Sequence, residues 1–165
     1  MPYAGWNDDG GISRLKYYWI CTDWFDRRKT WRKILKILIY LQCKLGINRK
    51  FNFFEGNIWG GETYWSLSNR GIEIILNYIA NNPDYLKRFK FTTIAEEIMI
   101  HSILLNQTES KLINDSLRYI QWLPVLKTLT EEDYEKIVNS NSFFARKFDK
   151  TKSQKLVQLL NNYIG

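Results

Sequence analysis

Between Ser142 and Asp149 the chain reads Ser-Phe-Phe-Ala-Arg-Lys-Phe-Asp, and few stretches restrict a fold more. In an extended strand, successive side chains point to opposite faces. Phe143, Ala145 and Lys147 then share one face, and Phe144, Arg146 and Phe148 share the other. With phenylalanine on both faces, at least one cation lies beside a partly buried apolar surface. A charge in that position needs an anionic partner. The partner is either a carboxylate of the protein itself or a ligand, and the spacing leaves both open.

A length of 165 residues allows one domain with a sizeable core. Seven Trp, ten Tyr and nine Phe supply rings that suit stacking on sugars, and they suit an ordinary core equally. Three Pro and nine Gly argue against a low-complexity chain, and no internal repeat is visible. Cys21 and Cys43 are too few for a disulfide framework and form no C-x-x-C pair, which predicts a reducing, cytoplasmic setting. The single histidine argues against a zinc site. There is no N-terminal signal pattern and no apolar run of about 18 residues.

The net charge of +7 is unevenly spread. From Arg14 to Lys50, eleven Lys and Arg face only Asp23 and Asp26, giving +9, while the remainder of the chain sums to −2. The excess implies a local anionic partner. Within this segment, Trp31 to Leu45 has helical periodicity, with a stripe of Ile34, Leu35, Leu38, Leu41, Gln42 and Leu45, and Gly46 follows as a cap. Such a basic amphipathic helix is either packed with a solvated cationic side or in peripheral contact with an anionic membrane or a lipid-linked acceptor. A nucleic-acid partner is not expected, because no binding motif accompanies the charge.

Elsewhere the patterns are shorter. Met1 to Gly11 reads as a loop, where Asp8 and Asp9 fit solvated turn positions. Ile12 to Phe25 reads as a strand followed by a loop, and Phe51 to Phe54 as a short strand. Gly60-Gly61 leads into a strand in which Thr63, Trp65 and Leu67 alternate with Glu62, Tyr64 and Ser66. A helix follows through Ile72, Ile75, Leu76 and Ile79, stopped at Pro83. Thr93-x-x-Glu96 has the form of a capping box, predicting a helix from about Ile94. That helix is apolar nearly all round and should be buried. Glu97 falls on it near Ile94 and His101. A carboxylate in apolar surroundings is hard to ionise, which moves it towards the range of a general base. Leu117 to Trp122 is a strand candidate ended by Pro124. Thr130 to Asp133 is a second capping pattern opening a short helix, and Ser153 to Ile164 is amphipathic.

Several of these stretches together resemble one family. Gly61, Tyr64, Trp65, Leu67 and Ser68, the pair Glu96-Glu97, Arg118-Tyr119-Ile120-Gln121-Trp122 and Phe144-Ala145-Arg146-Lys147-Phe148-Asp149 resemble the signatures of the core-2/I-branching β-1,6-N-acetylglucosaminyltransferases and their xylosyltransferase relatives, glycosyltransferase family 14. The chain departs at Glu62 (usually serine), Asn69 (an apparent insertion), Ala95 (proline), Glu96 (aspartate) and Gln121 (an acid). The resemblance implies an α/β fold, the C-terminal part of a GT-A-like domain with a mixed sheet and flanking helices. It covers the acceptor and diphosphate side; the family's uridine-binding half, which precedes the matched region, has no counterpart here. It implies an inverting transferase that uses a UDP-sugar, carrying N-acetylglucosamine or xylose, and needs no metal or other cofactor. By position, Glu97 matches the base that deprotonates the acceptor hydroxyl. Lys147 matches a diphosphate-binding lysine, with Lys127 and Arg146 as further cations, and Glu62, Tyr64 and Trp65 lie beside a saccharide acceptor. The competing expectation is a non-enzymatic basic module that docks on an anionic membrane or polysaccharide.

Overall fold

The computed structural model describes residues 11–20, 31–50, 56–107 and 112–165. The expected N-terminal loop with Asp8 and Asp9, Cys21, Arg27 and the strand expected at Phe51–Phe54 lie outside the described residues. The architecture is mixed α/β and mostly helical, with a two-stranded parallel sheet. No helix among the described residues is long and apolar enough to cross a membrane. The chain groups into two compact units. The first comprises Met1–Thr63 and Leu67–Leu112, and the second Tyr64–Ser66 and Ile113–Gly165.

The first unit contains α1 (Ser13–Lys16), α2 (Trp31–Lys44), α3 (Asn69–Asn81), a 3-10 turn at Leu86–Phe89 and α4 (Glu96–Asn106). Helix α1 stands where a strand was expected. Leu15 is its one buried side chain, and the amides of Leu15 and Lys16 bond back to the Ile12 carbonyl, so a single turn satisfies locally what a strand would need a neighbour to satisfy. Helix α3 begins as its sequence indicates, with the Ser68 hydroxyl accepting from the Gly71 amide at 3.2 Å. It packs on α4, and Ile75, Ile98, Ile103 and Leu104 form the core with Leu15, Tyr85 and Phe89. Each such buried side chain contributes about 1.5–3 kcal/mol of apolar burial. Tyr85 donates its hydroxyl to the Met99 carbonyl at 2.7 Å and meets Tyr78 and Phe89 edge-on, which satisfies its polar tip inside that core.

The capping box expected at Thr93 does not form. Helix α4 starts two residues later than expected, with Ala95 as its N-cap and no side-chain cap. Ile94 takes a left-handed conformation at φ 52° and Thr93 is buried, so the chain turns sharply before the helix instead of entering it smoothly. Along α4 runs an extended segment whose alternate residues face the helix. Asn106 accepts from the Asn57 amide (3.1 Å) and donates to its carbonyl (2.7 Å). Ser102 does the same to Trp59 at 2.9 and 3.0 Å, and the Gly61 amide donates to the Glu97 carbonyl at 2.9 Å. The period of two in the segment thus meets the turns of the helix, and two side chains and one backbone carbonyl of α4 replace a missing neighbouring strand.

The second unit contains β1 (Arg118–Ile120), β2 (Trp122–Leu123), β3 (Val125–Leu126), a 3-10 turn at Glu131–Asp133, α5 (Tyr134–Val138), β4 (Phe144–Arg146) and α6 (Gln154–Ile164). Strands β1 and β4 pair in parallel, with Arg118 opposite Phe144 and Ile120 opposite Arg146. A parallel pair needs a crossover, and α5 lies within it. Strands β2 and β3 form a separate antiparallel pair folded at Pro124, so the strands make two pairs and not one mixed sheet. The box expected at Thr130 is complete: Asp133 accepts from the Thr130 amide at 3.0 Å, and the Thr130 side chain caps the Asp133 amide. Leu129 and Leu156 are fully buried, joined by Ser153, which donates to the Leu129 carbonyl at 2.6 Å. Residues 62–68 form no strand ladder. Within this unit the Arg118 guanidinium serves that stretch instead, donating to the Tyr64 carbonyl at 3.1 Å and to the Ser66 hydroxyl at 3.3 Å.

Candidate functional site

The second unit gathers the cations. Strand β4 ends at Arg146, and beyond it the Leu129 amide donates to the Lys147 carbonyl at 2.8 Å while the Lys147 amide donates to the Lys127 carbonyl at 3.5 Å. Two lysines twenty positions apart are thereby set on neighbouring backbone. Their ammonium groups differ in commitment. Lys127 reaches Asp133 at 2.6 Å, and Asp133 is 1% exposed. Burial would push the Asp133 carboxyl up, but hydrogen bonds from Lys127 and the Thr130 amide outweigh it, so its pKa is lowered, while that of Lys127 is raised by the same bond. Lys147 is exposed and forms no ion pair among the described residues. Of the two lysines, it is the one left open to an outside anion.

Arg146 lies with its guanidinium 4.5 Å from the centre of the Tyr64 ring, and Arg118 lies 4.9 Å from that of Phe144. The cations flanking the phenylalanine stretch therefore find aromatic faces where a carboxylate was one expectation. The apolar surface expected to be partly buried is largely open at Phe143 and Phe144, 76% and 57% exposed, and partly buried at Phe148, 36% exposed. Strand β4 is paired on one edge only, and the exposure of Phe143 and Phe144 shows that both of its faces are thinly covered. Asp149 accepts from the Thr151 and Lys152 amides at 2.9 and 3.0 Å, which lowers its pKa and closes the turn into α6. Trp65, also in this unit, is 39% exposed.

The first unit holds the acid. Glu97 sits in the first turn of α4, and its surroundings are not purely apolar as expected, because Arg14 reaches its Oε2 at 2.6 Å with both side chains largely buried. The expected partner, His101, is one turn on, and its Nδ1 is buried with no hydrogen-bond partner among the described residues. Burial lowers the His101 pKa, and the charge of Glu97 opposes that shift. Gly61 is wedged against this imidazole: a Cβ there would lie 2.5 Å from His101 Nε2. Trp59 Nε1, on the same extended segment, is likewise buried without a partner. Glu62 is half-buried in this unit. Among the described residues, no three His, Cys, Asp or Glu side chains gather where they could share a metal ion.

Three roles were missed from the sequence. Arg14 stood out only as one of many basic residues, yet it neutralises the candidate base. Arg118 read as a strand residue, yet it organises residues 64–66. Gln42 counted towards an apolar stripe, yet its side chain bonds both backbone groups of Tyr18, at 2.8 and 3.0 Å. Comparison with protein-family models, with curated proteins and with solved structures finds no match.

Proposed function

We propose that the chain is the C-terminal part of an inverting, metal-independent glycosyltransferase of GT-A-like fold. It transfers N-acetylglucosamine or xylose from a UDP-sugar to a hydroxyl of a saccharide acceptor. The observation that carries this reading is the placement of Lys147 beside Lys127. The resemblance assigns both lysines to one diphosphate, and they stand on hydrogen-bonded neighbouring backbone with the Lys147 ammonium exposed.

In the reaction, the acceptor oxygen forms its bond to the anomeric carbon as the bond from that carbon to the diphosphate oxygen breaks. UDP leaves with added negative charge, which Lys147 neutralises with help from Arg146. Fixed cations aimed at developing charge need no reorganisation at the moment of reaction. Lys127 contributes less, because Asp133 already offsets its charge. Glu97 takes the proton of the attacking hydroxyl. Arg14 holds Oε2 of that carboxylate, so Oε1 is the oxygen left for the proton. Tyr64, Trp65 and Glu62 contact the acceptor, the rings by stacking and the acid by hydrogen bonding.

The test is donor hydrolysis or transfer with a UDP-sugar. Lys147→Ala and Glu97→Gln should each lower turnover by roughly 10²–10³-fold with the fold intact by circular dichroism. Turnover unchanged in both variants would refute the assignment.

A further inference from the structure

Helix α2 carries an exposed apolar face that the proposed chemistry does not use. Ile34, Ile37, Leu41 and Leu45 are 41%, 58%, 46% and 71% exposed. At 100° per residue they fall in one continuous stripe, beside the face through which Leu35 and Gln42 are buried. Lys33 and Lys44 border the stripe on its outer side, and Lys36 lies further round, all exposed. Lys44 folds its stem back so that its ammonium lies 5.7 Å from the Tyr40 ring centre. From Trp31 to Lys50 there are six Lys and Arg and no acid. One of these, Arg49, is turned inward to Thr92 and the Arg88 carbonyl; among the described side chains, Lys33, Lys36, Lys44 and Lys50 are the outward charge.

We infer that α2 is a docking face for an anionic lipid surface, lying in the headgroup plane with Ile34, Ile37, Leu41 and Leu45 inserted and Lys33, Lys36 and Lys44 on lipid phosphates. A helix of 14 residues is about 21 Å long, enough to lie along a membrane but too short to span it. Charge and apolarity together select this occupant. A nucleic acid would use the lysines but leave the four aliphatic side chains without a role. A second copy would bring the same lysines face to face and repel. A bilayer rich in acidic lipid accepts both groups at once. This inference is independent of the proposed catalysis and would stand without it.

The experiment is flotation of the full chain with vesicles of phosphatidylcholine mixed with phosphatidylglycerol, against vesicles of phosphatidylcholine alone. The chain should bind the acidic vesicles much more tightly, and raising the salt should weaken that binding. Lys33→Gln, Lys36→Gln and Lys44→Gln together should weaken it by about 100-fold, at about fivefold per lysine. Ile37→Ser with Leu41→Ser should also release the chain. Lys87→Gln, Lys150→Gln and Lys152→Gln remove as much charge elsewhere and should leave binding within a few-fold of the parent; an equal loss in that control would assign the effect to net charge and overturn the inference. So would equal binding to both vesicle types, no binding to either, or self-association broken by Ile37→Ser with Leu41→Ser in the absence of vesicle binding. Binding of RNA with no binding of acidic vesicles would overturn it as well.

Discussion

His101 is the only histidine of the chain, and burial holds its pKa below the ordinary imidazole range. The unfolded chain therefore takes up a proton as the pH falls through about 6.5, whereas the folded chain does so only at lower pH. Stability is full above that value and declines as the pH drops towards the folded-state pKa. The urea midpoint should fall between about pH 7 and 5.5, and His101→Gln should flatten that fall. An unchanged slope would show that the imidazole is no better buried than in the unfolded chain. Gly61 faces the same ring, and Gly61→Ala forces a methyl against His101 Nε2 at 2.5 Å. It should cost about 1–3 kcal/mol in denaturant unfolding. Neither residue's constraint was visible in advance, because the approach of Gly61 to His101 depends on a tertiary contact between residues forty positions apart.

Among the elements, the two capping patterns show what a local motif can and cannot decide. Thr130-x-x-Asp133 closes its box, while Thr93-x-x-Glu96 leaves Thr93 buried and Ile94 left-handed. The spacing of hydroxyl and carboxylate is the same in both. What differs is the approach of the chain: Thr130 is extended before its turn, whereas Ala95, the residue before α4, is already helical and Ile94 reverses the backbone. Thr130→Ala should destabilise the second unit by about 1 kcal/mol, measured by thermal or chemical unfolding, and an effect near zero would mean that the box is dispensable. Helices α2, α3 and α6 were legible because a period near four and clear stop residues are local properties. The ladder of Asn106, Ser102 and the Glu97 carbonyl on Asn57, Trp59 and Gly61 was not, since a helix bonding to backbone alongside it leaves no periodic mark. The strand expected at 62–68 failed for a related reason: alternation marks an extended chain, and Arg118 supplies hydrogen bonds there that a partner strand would otherwise give.

At the scale of the molecule, the sequence named candidate residues without indicating what would surround them. Among the described residues, the excess charge between Arg14 and Lys50 is put to different uses: Arg14 pairs with Glu97, Arg49 turns inward, and the lysines of α2 face outward. Lys127 and Lys147, far apart in sequence, come together because the parallel pairing of β1 with β4 returns the chain past residue 127. The central claim is that this pair of lysines receives the diphosphate of a sugar nucleotide, and calorimetric titration of UDP in the presence of EDTA tests it most directly. UDP should bind without added metal, inorganic pyrophosphate should compete, and Lys147→Ala should weaken the affinity by roughly 10- to 100-fold, as expected for a charge-assisted contact of about 1.5–3 kcal/mol. No binding, binding that requires manganese, or an affinity indifferent to Lys147→Ala would contradict it.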